Sequence, residues 1–437
     1  MLWRYNFKLA WLSLCKTPVL SLLMMSALGV GIAGCLVTLT IQVMMTNNPV
    51  KHKNDNLFAV QLDAWSPEYS FDSFNDMPLQ LTYQDAVALH TSLIPTRSVI
   101  MCRTSFVIQA KNSELVPKFA VARMTSSDFF TMFDVPFLYG AAWDSAADRS
   151  TARVVVLSKQ INDLFFGGRD SVGETLYMNG ADFTIVGVLE DWWPIPKVYD
   201  PTIHEFSRPA KVYAPFSLTP VFQPTPEGRV NSWSTQAPNP YRDYLNNETT
   251  WLQMWVELPT EEHRRTFAGY IESYIEAQQQ QGRFQRPLHY ALNKPSDWLL
   301  INQIVHKDNG LIISLSILFL IVCQANTVVM LLAKFLCKVQ ETSVRRALGA
   351  SRQSIFSQYL LEATLIVIGG GVLGLVLTWL GLAGFRALNR YYQFITLLHW
   401  QTFAMALGFT FLICLVCGAL PALRASRTQP ARYLNTQ

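Results

Sequence analysis

Charge is scarce in this 437-residue chain: Asp, Glu, Lys and Arg make up 15% of it. An ordinary soluble globule of this length carries about a quarter. Half of the residues are hydrophobic, and mean hydropathy is +0.18. The apolar residues are gathered in blocks, so the composition is that of a membrane protein with a large water-soluble part. A net charge of +4 does not imply nucleic-acid binding. The common signatures of catalysis are also missing. There is no G-x-x-x-x-G-K-[ST], so the chain has no P-loop for ATP. There is no H-E-x-x-H and no G-x-S-x-G, and the seven histidines are scattered. Gly167-Gly168 is followed by Arg-Asp and reads as a turn, not a phosphate cradle. These absences point away from an enzyme, with no catalytic, cofactor or metal residue to nominate. Of seven cysteines, only Cys102 lies in the long polar middle, which therefore holds no internal disulfide and depends on burial for its core.

Long apolar runs are what the chain does have. A bilayer crossing needs about 20 mostly apolar residues. Four segments qualify: Pro18–Met45, Leu311–Ala333, Tyr359–Phe385 and Thr402–Leu423. The first is too long, and too poor in a cleavage pattern, for a signal peptide. Basic residues gather at the span ends of one side, while the short loop between the third and fourth spans has only Arg386 and Arg390. Arg4, Lys8 and Lys16 precede the first; Lys334, Lys338, Arg345, Arg346 and Arg352 join the second and third; Arg424, Arg427 and Arg432 follow the fourth. The inside-positive bias puts these ends, and both termini, in the cytoplasm. The division expected is an interfacial amphipathic helix over 1–17, spans at 18–46, 310–336, 358–386 and 401–423, an outer domain over 47–309, a cytoplasmic segment over 337–357, a short outer loop over 387–400 and a cytoplasmic tail over 424–437. In the leading helix Trp3, Phe7 and Trp11 recur at helical spacing, with Leu14 one turn on.

The outer domain reads as α+β. Strand patterns at "LFAVQLDAW", "SVIMCRTSFVIQA" and "PKFAVARM" surround a helix at "TYQDAVALHTSL". Near its end "TWLQMWVEL" (strand), "TEEHRRTFAGYIESYIEAQQQQ" (helix) and "LHYALN" (strand) repeat the theme, with Phe267, Ile271, Tyr274 and Ile275 on one helix face. The expected arrangement is a split lobe, about 55–124 and 248–295, with a second lobe inserted over about 125–247. In the insertion, "TLYMNGADFTIVGVL" reads as a hairpin turning at Asn179-Gly180.

The segment "KVQETSVRRALGASRQSIF" stands between the second and third spans. It reads as helix, break at Gly349, helix; Glu341 and Arg345 are one turn apart in the favourable order, and Val344 and Leu348 share a face. Such a short helix either anchors to lipid head groups or serves as a docking knob for a cytoplasmic protein, and the residues alone leave both open. Within the spans, Gly29, Gly31 and Gly34 crowd the first and Gly370 and Gly374 form G-x-x-x-G in the third, a pattern that serves packing within one subunit or dimerisation. Gln324 and Asn326 offer hydrogen bonds across an interface, and Glu362 either snorkels or pairs with a basic neighbour.

"ETSVRRALGASRQSIFSQYLLEATLI" resembles the segment after the second span in MacB-like and FtsX-like permeases, the type VII ABC transporter family. Arg345, Arg346, Ala347, Leu348, Gly349 and Ala350 match its basic pair and Ala-hydrophobic-Gly-Ala run, while Ser343 replaces a usual glycine. "PALRASRTQPARYL" is similar to the family's ending through Pro421, Ala422, Ala425, Pro430 and Leu434, with Asn435 in place of a frequent arginine. The outer-domain signature is matched at Ser158, Gly173, Gly180 and Gly187. The resemblance implies a fold of four transmembrane helices with a porter-like lobe and an inserted sabre-like lobe in the periplasm. It implies a coupling helix at Glu341, Val344, Arg345, Arg346, Leu348 and Gly349 that two copies of a separate ABC ATPase would grip, with ATP and Mg held by that partner and no cofactor bound by this chain. The second span would continue outward through "KPSDWLLINQIVHKDNG" and carry movement to the periplasmic domain. Implied partners are a second permease, identical or paralogous, a periplasmic adaptor, an outer-membrane channel and membrane lipid. The expected place is a bacterial inner membrane and the expected work efflux, the alternative being a signalling module that activates a cell-wall hydrolase or senses antimicrobial peptides.

Overall fold

The computed structural model describes residues 2–46, 48–73, 75–111, 116–200, 207–233, 241–302, 304 and 309–388, with Ala404 and Gly408 singly. The chain forms two compact units, 1–44 with 307–437, and 45–306. Helices α1 (Leu2–Lys16) and α2 (Pro18–Thr46) begin the first. Pro18 lacks an N–H to donate and is preset for a first helical turn, so it starts a new helix directly after Thr17.

The second unit runs β1 (Leu57–Leu62), α3 (Tyr83–His90), β2 (Arg97–Ala110), β3 (Lys118–Thr125), α4 (Asp128–Met132), β4 (Phe137–Gly140), α5 (Ser145–Arg149), β5 (Val154–Leu157) and α6 (Lys159–Phe166). It continues with β6 (Thr175–Met178), β7 (Ala181–Leu189), β8 (Val212–Pro215), α7 (Thr219–Phe222), α8 (Arg242–Asn246), β9 (Gln253–Glu257), α9 (Glu261–Gln280), β10 (Tyr290–Asn293) and α10 (Pro295–Ile301). The strands join in one ten-stranded sheet of order β10-β1-β9-β2-β3-β8-β5-β7-β4, with β6 pairing both β2 and β7. Pairs β3·β8 and β5·β7 are parallel.

Both faces of this sheet are covered, which explains why all six residues of β1 are buried. Phe58 and Val60 face one core together with Ile100, Phe267, Ile271 and Ile275. Leu57 and Ala59 face the other, with Phe129, Phe130, Trp255 and Trp298. Helix α9 supplies the predicted face, and its Thr260 hydroxyl caps it by accepting the His263 amide N–H at 3.2 Å. The β6–β7 hairpin turns where expected: Asn179 and Gly180 both have positive φ, 47° and 90°, as a two-residue I′ turn requires. Segments 55–124 and 125–247 contribute neighbouring strands to one unbroken sheet, joined through β3·β8, β2·β6 and their shared cores. Arg123 is buried against the Asp200 carboxylate and lies 4.8 Å over the Tyr199 ring. Burial pushes the Cys102 thiol up to about 12, so this cysteine is a packing residue and not a nucleophile.

One expectation is corrected here. "KPSDWLLI" is not an outward extension of the second span. It forms α10, which ends at Ile301, where Asn302 leaves helical backbone at ψ 7°. Trp298 and Leu299 are buried in the core of the second unit, and the Trp298 ring meets Trp255 edge-on at 6.3 Å. Burial of a tryptophan outweighs continuation of an apolar helix.

The first unit resumes with α11 (Asn309–Cys337), α12 (Val339–Ala347) and α13 (Arg352–Leu388). Three described helices are long and apolar enough to cross a membrane: Pro18–Met45, Gly310–Cys337 and Arg352–Ala387. The fourth expected span and the tail lie outside the described residues, apart from Ala404 and Gly408. Helix α1 packs along α13 with a face of Asn6, Ala10, Ser13 and Leu14, and the Asn6 side chain donates to the Ser357 hydroxyl at 3.0 Å. Phe7 and Trp11 point away, 41% and 56% exposed.

Candidate functional site

The candidate site is α12 and the helices that hold it. Lys338, at φ −99° and ψ 8°, breaks the chain away from α11. The inner face of α12 is Val339, Thr342 and Ser343, all buried. Ser343, at the position where the resemblance expects glycine, stays in regular helix, its hydroxyl donating to the Val339 carbonyl at 2.9 Å. The outer face is Glu341, Val344, Ala347 and Leu348. Val344 is 49% and Leu348 83% exposed. Arg345 reaches Glu341 at 2.6 Å, the predicted one-turn pair, and also donates to the Gln358 side chain at 3.2 Å. Arg346 is half-buried. Gly349 takes φ +99°, which a residue with a Cβ adopts only under strain, and its amide and that of Ala350 cap the carbonyls of Arg346 and Arg345.

The seat below α12 is polar. The Thr342 hydroxyl and the Tyr359 phenol share a 2.6 Å hydrogen bond, and the Tyr359 ring packs on Phe335 at 4.3 Å. One turn further along α13, Glu362 is fully buried. Its Oε1 accepts from the Lys334 ammonium at 2.6 Å and from the Ser13 hydroxyl at 2.6 Å, with the Lys338 ammonium 3.7 Å away. Lys338 also contacts Ser13, and Lys334 reaches the Ser21 hydroxyl at 3.4 Å. One carboxylate thereby ties α1, α2, α11 and α13 together at the root of α12. Removing one member of such a buried pair costs about 3–5 kcal/mol, because the other charge is left unpaired.

The glycines are consumed by contacts within the chain. A Cβ on Gly370 would lie 2.8 Å from the Leu28 Cβ, and one on Gly374 3.0 Å from the Ile32 Cβ. Across the same seam a Cβ on Gly29 would meet Leu373 at 3.1 Å. Gly31 is closed by Cys323 at 2.9 Å, while Gly34 has only ordinary contact with Phe319 at 3.9 Å. The G-x-x-x-G of the third span thus holds α13 against α2. Gln324 is buried, and its side-chain atoms have no hydrogen-bond partner among the described residues; Asn326 is exposed on the side of α11.

The structure gathers Glu341, Val344, Arg345 and Arg346 on α12, with Leu348 and Gly349 closing its C-terminal end, and disperses the intramembrane residues along the bundle. Sequence reading gave Glu362 a basic neighbour as one option without naming it. In the sequence Lys334 and Lys338 serve as orientation signals, and their i, i+4 spacing also puts two ammonium groups on one helix face.

These features define the class: a membrane-embedded permease with a large extracellular domain. Residues 21–273 match the MacB-like periplasmic core domain and residues 313–430 the FtsX-like permease C-terminal domain. The chain belongs to the MacB-like, FtsX-like family of ABC transporter permeases. It is 24% identical over 311 residues to the uncharacterized ABC transporter permease YvrN of Bacillus subtilis, covering 70% of this chain and 68% of that one. It is 24% identical over 313 residues to the macrolide export ATP-binding/permease protein MacB of Shewanella, covering 70% of this chain and 42% of that one. The Escherichia coli MacB matches at 35% over 100 residues, 23% of this chain and 15% of that one. The chain therefore spans less than half the length of these MacB relatives. The periplasmic region of MacB from Actinobacillus actinomycetemcomitans aligns with 59% of this chain and 96% of that one at 11% identity, with a TM-score of 0.37.

Proposed function

We propose that this chain is the transmembrane subunit of an ABC transporter in which a separate cytoplasmic ATPase drives movement of the extracytoplasmic domain, for efflux from the periplasm or the outer leaflet. Two ATPase copies bind ATP and Mg, and each grips α12 of one of two permeases, identical or paralogous. The reading includes a fourth span at 401–423, both termini in the cytoplasm, a place in the inner membrane, a porter-like lobe with a sabre-like insertion, and a periplasmic adaptor and outer-membrane channel as further partners.

The observation that carries it is the two-sidedness of α12. Its inner face is bonded into the bundle through Thr342, Tyr359 and Gln358, while its outer face leaves Val344 and Leu348 bare. An exposed apolar pair on a rigidly seated helix is a handle for a protein groove. The test is a Val344→Asp/Leu348→Asp variant of the full chain, purified with its P-loop ATPase. Both side chains are exposed, so the melting temperature should hold. ATPase retention should fall at least about tenfold, in line with losing a small apolar hot spot. Retention at the wild-type level would overturn the assignment of α12 as the docking element.

A further inference from the structure

Beside α12 the first unit contains a cleft of about 100 Å³ between α1, α12 and the start of α13. Leu9, Leu12 and Ile355 form its apolar wall, and Lys16, Lys338 and Arg345 bring three cations to it. Two carboxylates lie close enough to neutralise them. Glu341 is taken by Arg345 at 2.6 Å, and Glu362 by Lys334 at 2.6 Å. Lys338 is left with a longer contact, 3.7 Å, to the same Glu362 oxygen that Lys334 already holds. Lys16 has no carboxylate partner among the described residues. Burial lowers the pKa of Lys338; the Glu362 and Glu341 carboxylates oppose this, and the neighbouring Lys334 and Lys16 ammonium groups add to it. The cleft thus has a surplus of positive charge that costs energy as it stands and that an anion would relieve.

Its position says which anion. The cleft opens where α1 meets α2 and where α13 begins, at the ends of helices long and apolar enough to cross a membrane. That is the depth of lipid head groups. Apolar side chains next to unneutralised ammonium groups match an acyl chain joined to a phosphodiester, and basic pockets between spanning helices bind such head groups. A free phosphate shares the charge but has no use for Leu9 and Leu12.

We propose that this cleft is a binding site for the phosphodiester head group of an anionic phospholipid, held by Lys16 and Lys338 with its chain along Leu9 and Leu12. The cleft borders α12 through Thr342 and Arg345, and Lys16, the residue tested, lies on α1 away from the exposed Val344 and Leu348. The test is native mass spectrometry of the detergent-purified full chain with phosphatidylglycerol or phosphatidylcholine of identical acyl chains. Wild type should retain phosphatidylglycerol in preference. Lys16→Gln should lower that retention about fivefold, the worth of one cation near an anionic surface, and leave phosphatidylcholine unchanged. Lys16→Arg should restore it. Lys8, exposed and outside the cleft, is the control, and Lys8→Gln should change nothing. Equal retention of the two lipids, or equal losses in the Lys8 and Lys16 variants, would overturn the site as diffuse attraction. Displacement of phosphatidylglycerol by an equal concentration of inorganic phosphate would reassign it to a free anion. Because Lys16→Gln leaves Val344 and Leu348 in place, ATPase retention in that variant should be unchanged, so failure here is separate from failure of the docking assignment.

Discussion

Glu362 is the residue on which most of the first unit converges. Two hydrogen-bond donors meet its Oε1 at 2.6 Å, and they come from α1 and α11. Replacing it with Gln keeps the shape but leaves Lys334 buried without a counter-charge. We expect Glu362→Gln to cost about 3–5 kcal/mol, read as a lowered melting temperature in detergent. A Glu362→Gln/Lys334→Met double variant should recover much of that loss, because replacing both members of a buried pair with neutral groups is far cheaper than orphaning one. Recovery absent from the double variant would mean that the pair is not the source of the loss. At this scale the sequence was legible in part. The Glu341–Arg345 pair lies within one helix, where spacing alone decides contact. The partner of Glu362 lies 28 residues away (362 − 334) on another helix, and no local period encodes that.

At the scale of elements, the α2–α13 seam is set by small residues. Two close approaches on α13, at Gly370 and Gly374, leave no room for a side chain against Leu28 and Ile32. Gly374→Val should destabilise the bundle by about 1–3 kcal/mol through overpacking. Gly384, in the same helix, has nothing within 4 Å, and Gly384→Ala should be neutral or stabilise by up to about 1 kcal/mol. Thermal melts of the two variants side by side check the assignment; equal effects would sink it. The G-x-x-x-G spacing was visible in the sequence, yet whether it served this subunit or a second one was not, because both uses demand the same absence of side chains. Elements with a strong local signal were readable: the Asn179-Gly180 turn, and the α9 face, where Phe267, Ile271 and Ile275 are buried as spaced. The resemblance carries the second span outward through "KPSDWLLI", and it takes the burial of Trp298 and Leu299, with Trp298 edge-on to Trp255, to place α10 in the core of the second unit.

For the whole molecule, the informative feature is the single sheet of the second unit. Its first core draws on Phe58 and Phe267 from the flanking segments and on Val155 and Ile185 from the insertion. A core shared in this way cannot lose one part and keep the other. Scanning calorimetry of the full chain should show the second unit melting in one cooperative transition. Two separate transitions for that unit would mean that the inserted segment has a core of its own. The sequence showed the β and α segments but not their joining, since the parallel β3·β8 pairing unites strands separated by most of the insertion. Strand order of that kind follows from tertiary packing, not from alternation along the chain.

The ribosome makes Lys334 before it makes Glu362. A nascent α11 therefore meets the bilayer with a bare ammonium near its end, and the acid that will quench it is still unmade. Lipid tolerates an unneutralised charge poorly. Burying that ammonium therefore has to await the third span, whose Glu362 meets it at 2.6 Å.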